Sequence, residues 1–324
     1  MKRLQTRIPG SIPKIRLDHF LADYLPQALG HPVSKTKVRS LILLGGVYVN
    51  RHRNKTAATP LYAGTIIEVY YDEEKLNVGQ AQRIEKVRLD PARVLYEDEW
   101  LIVIDKPSGL PTQPTVDPNR ANLYEAVKNF LSDRDGVEKP YVGLHHRLDK
   151  DTSGIVLFTK KEEANKGVSD LFSAHRIQKT YQCLVWRSPG SPTYASDEQF
   201  KLENFLGRLN ETGDKTRFGA VRSGGDYAVT YFQVREIFRD VIWLEARPQT
   251  GRTHQIRVHC SEHGLPILGD PLYFPRDIHA VGSVPRLLLH ASNLVFDHPI
   301  TEQTVQIDCP LPEDFVSVLG TLKA

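Results

Sequence analysis

A chain of 324 residues, 40% hydrophobic and 25% charged, has the composition of a globular protein with room for two domains. No apolar run approaches the roughly 18 residues of a membrane span, and residues 1–9 carry basic side chains with no apolar segment behind them, unlike a signal peptide. Net charge is only +3, yet residues 1–60 hold eleven Lys and Arg against two acids (Asp18 and Asp23), so a front end of +9 precedes a remainder of −6. That asymmetry points to a polyanionic partner held chiefly by the amino-terminal part. Cys183, Cys260 and Cys309 lie far apart in sequence and form no CxxC pair. Free thiols in a reducing cytoplasm are expected, and a cysteine zinc site is not.

Residues 14–76 read as one small module. Apolar residues at positions 17, 20, 21, 24 and 25 have helical spacing. Ser34 is placed to cap a second helix that turns Lys35, Lys37 and Arg39 outward and Val38, Leu41 and Ile42 inward. Gly45-Gly46 ends it, Val47-Tyr48-Val49-Asn50 starts a strand, and Ala63-Gly64 turns the chain into another at 65–70. Lys35, Lys37, Arg39, Arg51 and Arg53 flank one helix and one turn, which suits phosphate contacts; the bland alternative is a solvated basic face. The mixed, acidic stretch that follows reads as a linker, placed at 77–92.

A larger body is expected over 93–324. Val94-Leu95-Tyr96-Glu97-Asp98 and Leu101-Ile102-Val103-Ile104-Asp105 read as paired strands, after which Lys106-Pro107-Ser108-Gly109 breaks the second. Residues 123–131 have a helical pattern. The stretch His145-His146-Arg147-Leu148-Asp149-Lys150-Asp151-Thr152-Ser153-Gly154 then joins a polar, turning loop to a continuous apolar run ended by Lys160-Lys161, the mark of a strand buried on both faces. Such a loop at the mouth of a buried strand is a usual place for catalytic groups, although Asp149 and Asp151 are also suited simply to cap backbone amides. A helix over 161–176 and a strand over 178–186 follow, with Tyr181, Cys183 and Val185 on one face. Residues 187–230, rich in Gly, Pro, Ser and charge, read as loops and hairpins. Beyond a strand at 241–247 comes Thr250-Gly251-Arg252-Thr253-His254-Gln255-Ile256-Arg257-Val258-His259. His259 and His263 are four apart, as metal pairs often are, but no third ligand or HExxH pattern accompanies them, so no metal is expected.

The H-R-L-D-x-x-T-S-G pattern running into an apolar strand closely resembles the signature of the RluA-type pseudouridine synthases. Lys106-Pro107-Ser108-Gly109, Lys179-Thr180-Tyr181, the G-R-T-H-Q-I-R-V-H run, Leu268-Gly269-Asp270-Pro271-Leu272-Tyr273 and Leu289-His290-Ala291 through Phe296-Asp297-His298-Pro299 fit the same family, so the matches are scattered over nearly all of 93–315. Arg16-Leu17-Asp18, Ser34-Lys35, Gly45-Gly46-Val47-Tyr48-Val49-Asn50 and Ala63-Gly64-Thr65-Ile66 resemble the small RNA-binding domain named after ribosomal protein S-four. The resemblance implies an α+β fold: a mixed, mainly antiparallel central sheet flanked by helices and loops, preceded by a small α/β RNA-binding domain at 1–76.

It also implies roles. Asp149 is the catalytic carboxylate, Arg257 the basic residue paired with it, and Tyr181 the ring that stacks on the target base. His146, Arg147, Leu148, Thr152, Arg252 and His254 surround the substrate, with Arg147 filling the gap left by a flipped base. Whether Asp149 attacks the sugar or removes a sugar proton stays open. No cofactor is implied. The expected partner is RNA, ribosomal in the first place and transfer RNA in the second, and the expected state is a cytoplasmic monomer. Two other classes fit the pattern less well: a catalytically silent RNA-binding assembly factor, and an N-glycosidase acting on free nucleosides.

Overall fold

The structure is a computed structural model and describes residues 2–12, 14–43, 45–71, 88–115, 120–209, 217–275 and 284–323. These form two compact units, one holding residues 2–71, the other residues 88–113 and 121–323.

The first unit is a four-stranded antiparallel sheet in the order β1 (Lys2–Arg7), β6 (Ile66–Tyr71), β3 (Val47–Val49), β4 (His52–Asn54). A short pair, β2 (Ile15–Arg16) and β5 (Pro60–Leu61), stands beside it. Helices α1 (Leu17–Leu29) and α2 (Lys35–Leu43) supply Leu17, Leu21, Leu25, Val38 and Ile42 to a core completed by Val47, Ile67 and Val69. Strand β1 is not among the expected elements. Helix α1 starts at Leu17, the first of the helically spaced apolar positions, and Ile15–Arg16 before it pairs with β5. Ser34 caps α2 through Oγ, which accepts from the Lys37 N–H at 3.3 Å. The β3–β4 hairpin turns on Asn50 (φ 49) and Arg51 (φ 69), the two positive φ values of a type I′ turn. The Asn50 side chain accepts from the Ile66 N–H at 2.9 Å and so ties that turn to the neighbouring strand.

The second unit is built on one long sheet. Its strands are β7 (Val94–Glu97), β8 (Leu101–Lys106), β9 (Gly143–Leu144), β10 (Ser153–Thr159), β11 (Gln178–Trp186), β12 (Gln199–Arg208), β13 (Phe218–Ala220), β14 (Asp226–Ile237), β15 (Val241–Pro248), β16 (Leu289–Asp297) and β17 (Thr304–Asp308). The order is β13-β12-β14-β15-β11-β16-β10-β8-β7, with β9 and β17 on branches at β10 and β16. All the pairings are antiparallel except β10 with β16. Strand β10 is buried at every residue, as its unbroken apolar run requires. Gly154 permits the parallel pairing: its φ is +109, and a Cβ there would overlap the Ala291 carbonyl of β16.

Helix α3 (Leu123–Asp135) is capped by Asn122, whose Oδ1 accepts from the Glu125 N–H at 3.0 Å, and ends at Gly136 in the left-handed region. It packs with α4 (Glu163–Ser173) against the β8–β10 end of the sheet, through Leu123, Val127, Ala164 and Val168 among others. Helices α5 (Gln255–Glu262) and α6 (Glu313–Lys323) cover the remainder.

Two expectations change in detail. Residues 187–230 hold more regular strand than loops and hairpins suggest, because β12 and β14 pair over eight positions and extend the sheet past β15. Their Gly, Pro and Ser content marks the connections; residues 210–216 lie outside the described ones. Most of the linker placed at 77–92 also lies outside them, and Pro91–Arg93 is a 3₁₀ turn. No described helix is long and apolar enough to cross a membrane.

Candidate active site

The Asp149 loop leaves the sheet between β9 and β10 and is held by backbone clamps on both sides. Thr112 Oγ1 donates to the Leu148 carbonyl at 2.7 Å and accepts the Leu148 N–H at 3.1 Å, fixing the residue before Asp149. On the other side Lys106, fully buried, donates to the carbonyls of Lys150 (2.9 Å), Leu110 (2.8 Å) and Pro107 (3.0 Å). Burial pushes this ammonium down to about 7. Three carbonyls nevertheless take up its three N–H groups, a set that only the charged form can fill. Gly109 N–H and Ser108 Oγ add bonds to the carbonyls of Lys150 and Asp151. The Lys-Pro-Ser-Gly segment is thus a cradle for the 149–151 backbone. Leu148 and Thr152 are buried beside it, and both line the cleft.

Asp149 faces helix α5. Arg257 Nη1 donates to Asp149 Oδ2 at 3.0 Å, while Nε and Nη2 make a bidentate pair with Asp270 at 2.8 Å each. Asp270 has no exposed side chain and also accepts the backbone N–H groups of Leu272 (2.9 Å) and Tyr273 (3.1 Å). The Tyr273 ring lies under the guanidinium at 5.1 Å. Burial opposes the charge on Arg257, but the bonds from Asp270 and the nearby Asp149 outweigh it and raise its pKa.

The turn entering α5 is locked by Gln255. Its Oε1 accepts from Thr250 Oγ1 (2.7 Å) and the Arg252 N–H (3.0 Å), and its Nε2 donates to the Val229 carbonyl and Thr230 Oγ1, both at 2.9 Å. Every hydrogen-bonding position of that amide is thereby used. The next residue back, His254, stands in the left-handed region (φ 58) as the cap of α5.

Asp149, Arg257, His254 and Gln255 line a cleft of about 620 Å³, together with Tyr181, His146, Arg147, Phe172, Lys179 and Arg252. The size is that of a small-ligand site. Tyr181 comes from β11, and burial together with the Asp149 charge pushes its phenol well above the ordinary range. Arg147 is exposed on the rim, with Nη2 donating to Thr253 Oγ1 at 3.2 Å; Arg252 donates to the Tyr227 carbonyl at 3.2 Å. The His146 ring stacks on Phe172 at 4.6 Å and its Nε2 accepts the Leu157 N–H at 2.8 Å, so one of its nitrogens is committed to β10. Burial pushes it down to about 3, which leaves it neutral.

All nine residues expected at the site, from Asp149 to His254, therefore meet in one cleft. Asp270 and Tyr273 carry no role in the sequence reading although their segment stands out there. What links them to Arg257 is a contact across a turn, and no spacing rule announces it. The His259 ring nitrogens are bonded to Thr230 Oγ1 (3.0 Å) and Asn204 Oδ1 (2.9 Å), which explains that histidine without a metal.

In the amino-terminal unit Arg39 is exposed, as expected, and its Nε also donates to Asp18 at 3.2 Å, beside the bond from Arg16 at 3.0 Å. The Arg16 hydrogen bonds, aided by Arg39, hold the Asp18 carboxyl down to about 2. Arg53 donates to the Gly45 carbonyl at 2.8 Å. Lys35 and Arg51 are exposed and Lys37 half-buried.

A fold of this topology, with a cleft carboxylate hydrogen-bonded by a buried arginine, defines a class, and similarity to known proteins names it. Residues 100–262 match the RNA pseudouridylate synthase family. The chain is 31% identical to the ribosomal large subunit pseudouridine synthase D of Xylella fastidiosa, over 98% of this chain and 92% of that protein. It is 32% identical to the ribosomal large subunit pseudouridine synthase C of Vibrio vulnificus, over 95% and 93%. The solved structure of human RNA pseudouridylate synthase domain containing 4 superposes with a TM-score of 0.56 at 25% identity, covering 72% of this chain and 93% of that one. The chain belongs to the RNA pseudouridylate synthase family and is a pseudouridine synthase, an isomerase.

The Arg257–Asp270 pair generates a stability prediction. Asp270→Ala leaves a buried guanidinium with only Asp149, and removing one partner of a buried pair costs about 3–5 kcal/mol. Urea unfolding of the purified variant reads this directly; a midpoint within error of the wild type contradicts the pairing.

Proposed function

We propose that this enzyme converts uridines of large-subunit ribosomal RNA to pseudouridine, with Asp149 carrying the chemistry. The observation that supports these roles is a carboxylate, the one that lines the cleft among the described residues, hydrogen-bonded by a buried guanidinium with Tyr181 in the same cleft. The choice of RNA rests on relatives named for the large ribosomal subunit.

In the reaction the N1–C1′ bond of the uridine breaks, the uracil turns, and C5 bonds to C1′. The proton lost from C5 is balanced by one gained at N1, so neither redox nor an energy source enters. The target base is first flipped from its stack, at a cost of a few kcal/mol. Arg147, exposed on the rim, takes the vacated place, and a guanidinium suits it because it stacks as well as pairs. Leu148, Thr152, His146, Arg252 and His254 wall the flipped nucleotide. Asp149 then serves as nucleophile on the sugar or as base toward a sugar proton, and Arg257 orients it in either route. Tyr181 holds the uracil by its face. With its pKa raised, its hydroxyl is a poor base at neutral pH.

The amino-terminal unit is proposed as the phosphate grip, through Lys35, Lys37, Arg39, Arg51 and Arg53. Lys35 and Arg51, on α2 and at the β3–β4 turn, present charge to solvent, while the Asp18 and Gly45 bonds fix where Arg39 and Arg53 lie.

Asp149→Asn is expected to abolish isomerisation of the RNA while leaving its affinity within a few fold, because many contacts carry binding and one carboxylate carries chemistry. Single-turnover assays test this; product formed at even about one-tenth of the wild-type rate removes Asp149 from the role. Replacing Lys35, Lys37 and Arg51 by Gln is expected to make the salt dependence of binding shallower. The log–log slope falls by about 0.9 for each phosphate that the protein no longer neutralises on duplex-like RNA. An unchanged slope in a salt titration identifies a merely solvated basic face.

A further inference from the structure

One group in the cleft has its proton placed by its neighbours. His254 Nδ1 lies 2.8 Å from the Tyr273 hydroxyl, and that hydroxyl also accepts the backbone N–H of Phe218 at 3.0 Å. An amide N–H can only donate, so one lone pair of the phenol oxygen is occupied by Phe218. If His254 also donated from Nδ1, the phenol proton would be left without an acceptor among the described residues, in a side chain only 6% exposed. The satisfied arrangement has Tyr273 donating to a bare Nδ1. A neutral imidazole then carries its proton on Nε2.

A second observation, independent of the first, reaches the same assignment. His254 Nε2 lies 3.8 Å from Asp149 Oδ2. A bare nitrogen there would set a lone pair against an anion, whereas an N–H sets a donor toward it. Burial lowers the His254 pKa, so the ring is neutral and has one proton to place, and burial raises Tyr273 to about 12, so the phenol keeps its own. The ring is also held in place: Phe218 and Tyr273 meet it edge-on, each at 5.6 Å, and its backbone sits in the left-handed region. A non-glycine residue held at positive φ in a cleft is a feature that the surrounding structure must enforce.

We propose that the relay Phe218 N–H to Tyr273 to His254 fixes His254 as the Nε2–H tautomer, so that it serves as a second donor to Asp149 Oδ2, the oxygen that Arg257 already holds, when substrate closes the cleft. Tyr273 is then a positioning residue with two duties, its ring under Arg257 and its hydroxyl on His254. At 3.8 Å the His254–Asp149 pair is outside hydrogen-bonding distance, and catalytic bonds of this kind are often long before substrate arrives. The donor belongs to the stage at which Asp149 interacts with the sugar, where a neutral N–H steadies the carboxylate without competing for its proton. The functional part of this inference rests on Asp149 as the reacting group; the tautomer does not.

The test has two arms for that reason. In the full chain labelled with ¹⁵N-histidine, the His254 ring is expected to show a bare Nδ1 and a protonated Nε2, and Tyr273→Phe is expected to abolish that preference while keeping the ring beneath Arg257. A wild-type Nδ1–H tautomer overturns the inference whatever Asp149 does. In single-turnover assays on ribosomal RNA, Tyr273→Phe is expected to lower the rate about tenfold with RNA affinity unchanged. His254→Gln, whose Nε2 donor can occupy the same place, is expected to recover most of what His254→Ala loses. A Tyr273→Phe rate equal to wild type, or His254→Gln as slow as His254→Ala, overturns the catalytic part.

Discussion

Arg257 sits almost wholly out of water between two carboxylates, and its burial is tolerable only because both are present. Asp270 takes the Nε–Nη2 edge of the guanidinium and is itself fixed by two backbone N–H groups, so the cation has one orientation. The other terminal nitrogen, Nη1, meets Asp149 on a loop more than a hundred residues earlier. An exposed ion pair of this kind is worth little, since water competes for both ends. A buried one is costly to break, and that cost turns a contact into a positional constraint. The cleft is arranged around that constraint.

A carboxylate cannot be oriented by its partner alone if its own backbone drifts. The cradle of Lys106, Ser108, Gly109 and Thr112 answers this by holding the carbonyls and amide on either side of Asp149. On the other side of the cleft, Gln255 locks the turn that delivers His254 and Arg257. Tyr181 projects from β11, the strand between the two halves of the sheet, where β15 pairs on one side and β16 on the other. Chemistry that exchanges an N1–C1′ bond for a C5–C1′ bond, with no redox step, asks for orientation more than for reagents, and these supports provide it.

Much of this is legible in the sequence, unevenly. The unbroken apolar run after Gly154 is enough to place a buried strand, and a carboxylate at its mouth follows from the order of residues. Helix α2 and its Ser34 cap follow from local rules of the same kind. Strand β1 escapes them because its half-buried face is only Leu4 and Thr6, set between exposed Arg3, Gln5 and Arg7, too little apolar alternation to mark a strand. The strands within 187–230 read only as loops and hairpins of unassigned extent because their turn residues are dense, while their pairing is decided by partners distant along the chain, as in Leu202 with Thr230. Asp270 and Tyr273 mark the sharper boundary. Both stand in a conspicuous segment, yet their work lies in contacts with Arg257 and His254 that exist only after folding.

The central claim is that this constraint serves uridine isomerisation in the large ribosomal RNA. The most direct measurement is to map pseudouridines by carbodiimide-stopped primer extension in cells with and without the gene. The account predicts that at least one stop in large-subunit ribosomal RNA disappears without the gene and returns when the wild-type chain is restored. Ribosomal RNA with an unchanged pattern, and a loss confined to transfer RNA, would contradict it.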